Sequence, residues 1–188
     1  MDLFDAIEKR RTTRIFKQGL TEAQLRLLLS VGAKAPSTRN RQSWEFVVVE
    51  DRALVDRIAE LKYQYNRKVQ PGPGQMQADV EAQARNQQKW FANASVVAVC
   101  TKDHDVASAW LAVENISLAA VAAGVGSGII GFGGEEKKAV EALLGLPAAC
   151  ELVCILKLGV PDVAGAKPAM RPEFSWLHTN TFTPPKQQ

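Results

Sequence analysis

The order of the elements that the sequence predicts indicates an α+β sandwich. Helical patterns come first, and three buried apolar strands then follow with helices between them, which differs from the regular alternation of a parallel α/β fold. The chain has 188 residues, a length that suits one domain. It shows no internal repeat and no dividing linker, so we expect a single domain over 1–188.

Six helices are predicted from capping residues and from apolar periodicity. Thr21 and Gln24, for example, form a capping-box pattern. Asp2 can cap a short first helix that carries Leu3 and Ile7 on one face, together with Phe4. The predicted helices cover about residues 3–9, 21–33, 51–68, 76–91, 105–123 and 135–144.

Three apolar runs predict buried strands. They are Trp44 to Glu50, Ser95 to Thr101 and Cys150 to Gly159. From Val160 onwards the chain has five prolines and few packing patterns. A segment of this kind is either disordered or ordered by a partner surface, and we expect the tail 160–188 to wrap a partner.

The glycine-rich segment from Gly124 to Gly134 contains the pattern GxGxxG at 126–131. A dinucleotide-binding fingerprint needs a strand before the glycines and a helix that opens at their end. A long helix precedes them here, so we reject a Rossmann site. Two interpretations stay open. Gly124 ends the helix in left-handed conformation and the other glycines permit tight backbone, or the segment lies against a flat ligand.

Composition argues against several classes of function. Lys and Arg number 23 against 20 Asp and Glu, and a net charge of +3 does not require nucleic acid or an anionic membrane as partner. The apolar run Val106 to Ala123 has Glu114 and Asn115 at its middle, which indicates a buried core helix instead of a membrane span. Residues 1–5 show no secretory signal.

The cysteines and histidines do not suggest a metal site or a disulfide framework. Cys100, Cys150 and Cys154 are odd in number, and reduced thiols of a cytoplasmic protein fit them better than disulfides. Cys150 and Cys154 lack zinc-type spacing, and His104 and His178 are far apart in sequence. We therefore expect no metal.

Two polar segments have the residue types that an anionic cofactor needs. The first polar segment, Arg10–Arg14, has three arginines that can bind phosphate bidentately and two threonine hydroxyls. The second polar segment, Pro36–Gln42, adds side-chain amides, which supply donors and acceptors for the edge of a heterocycle. Because no Ser-His-Asp, Cys-His or paired-carboxylate arrangement is apparent, we expect a cofactor to carry the chemistry.

These segments resemble the motifs of the nitroreductase family. RRTTR at 10–14 is similar to the family's RRSxR, and PSTRNRQSW at 36–44 is similar to its PSxxNxQPW. Further similar segments follow in the family's order, namely AAGVGSGIIG at 122–131, LGLP at 144–147, LGVP at 158–161 and a basic segment at 167–172. Thr12 and Ser43 depart from the usual Ser and Pro, and the tail cations are more widely spaced than the family's K-x-R.

The resemblance implies an α/β/α sandwich with a central, mostly antiparallel sheet, in an intertwined homodimer that binds FMN. It implies that Arg10, Arg11 and Thr12 hold the FMN phosphate and ribityl chain. Arg14 would lie near the flavin pyrimidine, where a cation stabilises the reduced, anionic flavin. Catalysis itself would be flavin-borne, with Arg14 in a tuning role.

The resemblance also assigns residues outside the first polar segment. Gly131 would lie beside the flavin ring, and Lys167 and Arg171 would close on the phosphate. The residues that would reach the flavin from the other subunit are Pro36, Ser37, Thr38, Asn40 and Gln42.

The expected function is an FMN-dependent oxidoreductase. It would transfer hydride from NADH or NADPH through the flavin to a small acceptor such as a nitroaromatic compound or a quinone, in a ping-pong reaction. One alternative is a flavin-binding protein without turnover. Another is a nucleic-acid-binding module that uses the basic N-terminus, but this lacks a recognition motif and a strong net charge.

Overall fold

The structure, a computed structural model, describes residues 1–162 and 169–182. Its helices begin close to the predicted capping residues. Asp2, Thr21, Asp51 and Asp105 each accept a hydrogen bond from a backbone N–H in the first turn, which satisfies a donor that the helix cannot. The α-helices are α1 (Leu3–Lys9), α2 (Glu22–Gly32), α3 (Arg52–Arg67), α4 (Gln77–Lys89), α5 (Val106–Ala122) and α6 (Gly134–Leu143).

The strands form one antiparallel sheet. They are β1 (Phe16–Gln18), β2 (Trp44–Val49), β3 (Ser95–Lys102), β4 (Gly126–Ile130) and β5 (Cys150–Pro161). The long strand β5 lies at the centre, where it pairs with β3 on one edge and with β4 and then β1 on the other. β2 pairs with the free edge of β3.

Each face of the sheet is covered by helices, because successive side chains of a strand point to opposite faces. Val96, Ala98 and Cys100 of β3 belong to a core that includes side chains of α3 and α6. Val97 and Val99 belong to the opposite core, with side chains of α2 and α5. The predicted α/β/α sandwich with its mostly antiparallel sheet is therefore confirmed.

The sequence prediction missed two strands. β1 has only three residues, and β4 lies in the glycine-rich segment, to which we assigned no strand. Glycine disfavours strands, so Gly126 and Gly128 hide the local signal. The hydrogen bonds between β4 and β5 stabilise this strand, although its local sequence does not favour one. β5 also continues to Pro161, so Val160 and Pro161, which we assigned to the tail, belong to the sheet.

The glycines of β4 let the N-terminal chain approach the strand closely. Thr12 forms a parallel bridge with Ser127, and the Thr13 N–H donates to the Ser127 carbonyl oxygen at 2.8 Å. A Cβ atom at Gly126 would overlap the Thr13 side chain, and one at Gly128 would overlap the Thr13 carbonyl oxygen. The interpretation that these glycines permit tight backbone is therefore confirmed.

Most small side chains of α5 face inward, and Ala107 and Ala122 near its two ends are exposed. Ala109 and Ala112 are fully buried, so they pack within the chain. The outer side carries Trp110 and Leu111, which are 40% and 48% exposed. The helix ends before Gly124, whose φ of +71° is the predicted left-handed conformation. In the ranges that the structure describes, no helix combines the length and apolarity needed to cross a bilayer.

The apolar stripe of α1 does not face the core of the protomer. Leu3, Phe4 and Ile7 are 61%, 80% and 50% exposed, while Ala6 is buried. An apolar groove of about 310 Å³ lies beside the helix, between α1, α2 and the C-terminal half of α5. The apolar side chains of α1 are thus exposed and can pack against another surface.

Replacing Gly128 by alanine should destabilise the fold by about 1–3 kcal/mol, because the added methyl group overlaps backbone at Thr13. Gly131→Ala is the matched control. It adds the same group one residue beyond β4, where nothing lies within 4 Å of the new atom, and should change stability by less than ~0.5 kcal/mol. Urea unfolding followed by circular dichroism measures both, and equal stability of the two variants would contradict the close approach.

Candidate functional site

The first polar segment, Arg10–Arg14, runs between α1 and β1 and is fixed at its middle. Thr13 is 5% exposed and is bonded to Ser127 of β4. Thr12 precedes it and is exposed. The sheet therefore holds the backbone of this segment while a hydroxyl and several guanidinium groups remain at the surface.

The arginines of the first polar segment have different partners. Arg10 Nε lies 3.8 Å from Glu114 Oε1 on the outer side of α5. Arg11 donates to two carbonyl oxygens at the C-terminal end of α1, at 2.6 and 2.7 Å. The Arg14 guanidinium lies 5.4 Å from the centre of the Trp90 ring. Arg10 thus has a weak ion pair at the surface, whereas Arg11 and Arg14 are held by carbonyl oxygens and by a ring.

The second polar segment, Pro36–Gln42, folds into a tight turn. φ is positive at Arg39, Asn40 and Gln42, a conformation that non-glycine residues adopt rarely. The Gln42 N–H donates to the Ser37 hydroxyl at 2.9 Å, and the Gln42 side-chain amide donates to the Asn40 side-chain oxygen at 3.0 Å. A turn with this backbone persists only where neighbouring contacts hold it.

Asp105, the N-cap of α5, supplies those contacts. Its carboxylate accepts hydrogen bonds from the hydroxyls of Ser108 at 2.7 Å, Ser43 at 3.0 Å and Thr38 at 3.3 Å. The Thr38 N–H also donates to the Ser108 hydroxyl at 3.2 Å. The bonds from Ser108 and Ser43 lower the pKa of Asp105. One carboxylate thus joins α5, the second polar segment and the start of β2.

The two polar segments contact α5 at different positions along the helix. The first reaches the helix at Glu114, and the second reaches it at Asp105. With a rise of 1.5 Å per residue, these anchor points lie about 14 Å apart along the helix. The structure therefore fixes each segment separately, and the contacts of the described residues do not join the two segments within the protomer.

A cation and two aromatic rings lie beside Gly131. Lys62 of α3 donates to the Gly131 carbonyl oxygen at 2.8 Å. Its Nζ lies 4.6 Å from the centre of the Tyr65 ring and 5.5 Å from that of Phe132. Burial lowers the pKa of Lys62 to about 8. Gly131 itself is exposed, with open space where a side chain would begin.

The tail contains the two remaining predicted site residues. Lys167 lies outside the described residues. Arg171 is exposed and donates to the Ser175 carbonyl oxygen at 3.2 Å, a contact within the tail itself. Their roles on a phosphate stay predictions.

Sequence reasoning missed Asp105, Lys62 and Lys157 as residues that shape this region. Asp105 was visible only as the start of a helix, although a serine three residues later is a further capping signal. Lys157 is an isolated lysine in the apolar run of β5, and it donates to the carbonyl oxygens of Arg14 at 3.2 Å and Trp90 at 2.8 Å. A charged residue inside a buried strand was the available signal.

The fold is that of a known class of enzymes. A structure of oxidised iodotyrosine deiodinase bound to FMN and 3-iodo-L-tyrosine has a TM-score of 0.77 and 28% identity to this chain. The match covers 96% of this chain and 100% of that one. Nitroreductase A of Vibrio parahaemolyticus has a TM-score of 0.80 and 20% identity, over 98% of this chain and 78% of that one, so the three-layer sandwich is a nitroreductase-type fold.

The chain belongs to the Nitroreductase family, whose sequence model matches residues 7–160. The iodotyrosine deiodinase of Thermotoga neapolitana is 28% identical over 167 residues, which cover 85% of this chain and 89% of that protein. A protein of Archaeoglobus fulgidus, named for NADH dehydrogenase and NAD(P)H nitroreductase activity, is 29% identical, with 82% and 83% covered. The family that the sequence motifs indicated is confirmed.

Asp105→Ala should destabilise the protein more than Asp51→Ala. Asp51 caps α3 by accepting the Ala53 N–H, and losing such a cap costs about 1 kcal/mol. Asp105→Ala removes a cap and also leaves the hydroxyl of Ser43, which is 5% exposed, without its acceptor. Urea unfolding compares the two, and equal losses would contradict the anchoring role.

The contribution of Asp105 to stability has a predicted pH dependence. Because folding lowers the pKa of Asp105, its stabilising effect is fully present above the usual aspartate value of 3.8 and is lost as pH falls through the folded value. The stability difference between wild type and Asp105→Ala should therefore shrink on acidification below that value. A difference that stays constant over the acid range would contradict the assignment.

Proposed function

We propose that the protein is a cytoplasmic FMN-dependent oxidoreductase that passes electrons from NADH or NADPH to a small acceptor, such as a nitroaromatic compound or a quinone, in a ping-pong reaction. The first polar segment carries the proposal, because the sheet fixes its backbone and leaves cations and a hydroxyl at the surface. Membership of the Nitroreductase family supports it. The three cysteines are free, as suits a reducing compartment.

The donors of the first polar segment suit the phosphate and ribityl chain of FMN. Guanidinium groups bind phosphate oxygens bidentately, and a hydroxyl adds a further donor. Arg10 and Glu114 are 3.8 Å apart with side chains 34% and 53% exposed, an ion pair weak enough for a phosphate to replace. We assign this role to Arg10, Arg11 and Thr12, with Lys167 and Arg171 of the tail closing on the phosphate.

The second polar segment suits the edge of a heterocycle. The amides of Asn40 and Gln42 are exposed, carry both donors and acceptors, and stand on a backbone that Asp105 fixes. Fixing them before binding reduces the entropy lost when a ligand binds. We assign flavin contacts to Pro36, Ser37, Thr38, Asn40 and Gln42.

Arg14 is proposed to tune the cofactor. When bound, FMN supplies the redox chemistry, since its ring accepts hydride and gives electrons to a second substrate. Arg14 is held against Trp90 and would stabilise the negative charge that reduction places on the pyrimidine end of the ring. Gly131 would border the ring without a side chain.

The acceptor is proposed to be planar and electron-poor. The relatives include a deiodinase and a protein named for NAD(P)H nitroreductase activity, so the family does not fix one acceptor. The cluster of Lys62, Tyr65 and Phe132 beside Gly131 offers a cation and two ring faces. Nitro and quinone oxygens, which become more negative as they are reduced, suit such a surface.

We propose that each chain, 1–188, is one FMN-binding domain of an intertwined homodimer, with the tail on the partner. The separate anchor points of the two polar segments favour sites that take one segment from each subunit. Exposed apolar surface of the extent seen on α1 and the outer side of α5 is typical of an interface. The tail adds exposed apolar side chains at Phe174, Trp176, Leu177 and Phe182.

Bound FMN is the first test. The purified protein should show flavin absorbance, and acid release should give FMN instead of FAD, because the first polar segment offers donors for one terminal phosphate. Chromatography of the released flavin distinguishes the two. A colourless protein that also takes up no FMN on reconstitution would contradict the proposal.

Arg10 and Arg14 should give different defects. Arg10→Ala should weaken FMN binding by about 1.5–3 kcal/mol, the range for a lost charge-assisted hydrogen bond. Arg14→Ala should lower the flavin reduction potential. Glu114→Gln is the control, since it breaks the ion pair of Arg10 while leaving the cation in place. Equal losses of affinity in both arginine variants, with unchanged potentials, would show that the two roles are wrong.

The shared site predicts complementation between inactive variants. One variant carries Arg10→Ala with Arg14→Ala, and the other carries Asn40→Ala with Gln42→Ala. If each site takes one segment from each subunit, a mixed dimer has one site with both defects and one with neither. Co-refolding should restore activity to about half the sites of each heterodimer, as two-fold symmetry requires.

The controls are each variant refolded alone and a count of heterodimers by native mass spectrometry. No recovery despite proven heterodimers would mean that both segments serve one site within a chain. An active monomer in light scattering would end the shared-site proposal.

A further inference from the structure

Lys157 of β5 is the one lysine that is fully buried in the part of the chain described, at 1% exposure. It lies between Val96 of β3 and Gly128 of β4 in the sheet register. Its Nζ donates to the Trp90 carbonyl oxygen at 2.8 Å and to the Arg14 carbonyl oxygen at 3.2 Å. The side chain therefore links the centre of the sheet to the end of the first polar segment and to the end of α4.

The surroundings of Lys157 do not neutralise its charge. The rings of Phe16, Trp90 and Phe91 lie 5.3, 5.6 and 5.8 Å from Nζ, and across residues 1–162 and 169–182 no carboxylate forms an ion pair with it. Burial, and secondly the charge of Arg14, lowers the pKa of Lys157 to about 7. An apolar residue of similar length would avoid the cost of burying an amine, so packing alone does not account for a lysine here.

We propose that Lys157 is a positioning residue for Arg14. It holds the Arg14 backbone through one hydrogen bond, and through the other it holds the Trp90 backbone, whose ring supports the Arg14 guanidinium. This inference rests on the proposed function, because Arg14 is there the cation that acts on the flavin.

The geometry explains why both bonds are needed. Arg14 is exposed, and a long flexible side chain on an exposed segment would lose much conformational freedom to take one orientation. Lys157 fixes both ends of that arrangement from within the core, where its own side chain has little freedom. The orientation of Arg14 is thereby set before any ligand binds.

The first test needs no flavin. Amide hydrogen exchange is measured by mass spectrometry on the protein as purified, for Lys157→Met and for Lys137→Met. Lys137 of α6 pairs with Glu151, which lies near the other end of β5 and about 20 Å from Lys157 along the strand. Lys157→Met should raise exchange in residues 10–18 about tenfold, the change expected for one lost hydrogen bond, with β2 unchanged. Lys137→Met should leave residues 10–18 as in wild type.

The second test measures the reduction potential of bound FMN. In Lys157→Met the FMN reduction potential should fall in the same direction as in Arg14→Ala, and the double variant should show less than the sum of the two shifts. The pH profile adds a further readout. Among the charged groups of the described residues, Arg14 is the one whose charge lowers the pKa of Lys157. Deprotonation of Lys157 weakens the two hydrogen bonds that it donates, so the potential difference between wild type and Lys157→Met should shrink as pH rises through about 7.

Lys157→Gln covers the case in which the methionine variant does not fold. Glutamine keeps an N–H donor but does not titrate, so exchange should stay closer to wild type while the pH-dependent difference disappears. Unchanged exchange in residues 10–18 in a folded variant, or faster exchange spread evenly over all strands, would overturn the proposal. Changed exchange with a wild-type potential would overturn it too. Absence of bound flavin would count against the proposed function alone, since the exchange result stands without it.

Discussion

Fold and site both depend on the close approach of backbone at Thr12 and Thr13 to strand β4. The approach is possible because Gly126 and Gly128 present no Cβ atoms to the incoming chain. Glycine in a strand weakens it, since it loses more conformational freedom on folding and packs no side chain. The hydrogen bonds between β4 and β5 offset this loss of stability. Because Thr12 pairs with β4, the sheet holds the backbone that carries the arginines of the first polar segment.

Two charged side chains transmit the geometry of the core to the surface. Asp105 gathers hydroxyls around the start of α5 and so fixes the second polar segment. Lys157 donates from the centre of the sheet to the end of the first. Each is a single group with several hydrogen-bond partners, and losing one would leave buried or half-buried polar groups unsatisfied. A small domain thereby presents exposed polar side chains in defined positions.

The protomer exposes large apolar side chains and buries small ones on the same helix. Ala109, Ala112 and Ala120 of α5 pack inside the chain, and the large apolar groups Trp110 and Leu111 face outward. The apolar stripe of α1 and the aromatic side chains of the tail are likewise exposed. An intertwined dimer would bury these surfaces and bring the two polar segments of different chains together, which connects the packing of the protomer with the proposed chemistry.

The sequence by itself determined the helices, the central strands and the family. Capping at Thr21, Asp51 and Asp105 and apolar runs such as β3 are local patterns, and the RRTTR and PSTRNRQSW motifs lie within short stretches of chain. Tertiary structure decided the rest. The strand at Gly126–Ile130 exists because β5 and Thr13 lie beside it, and the contact of Lys157 with Arg14 joins residues 143 positions apart. Such contacts leave no local pattern, because the partner that stabilises each residue is distant in sequence and becomes a neighbour only when the chain folds.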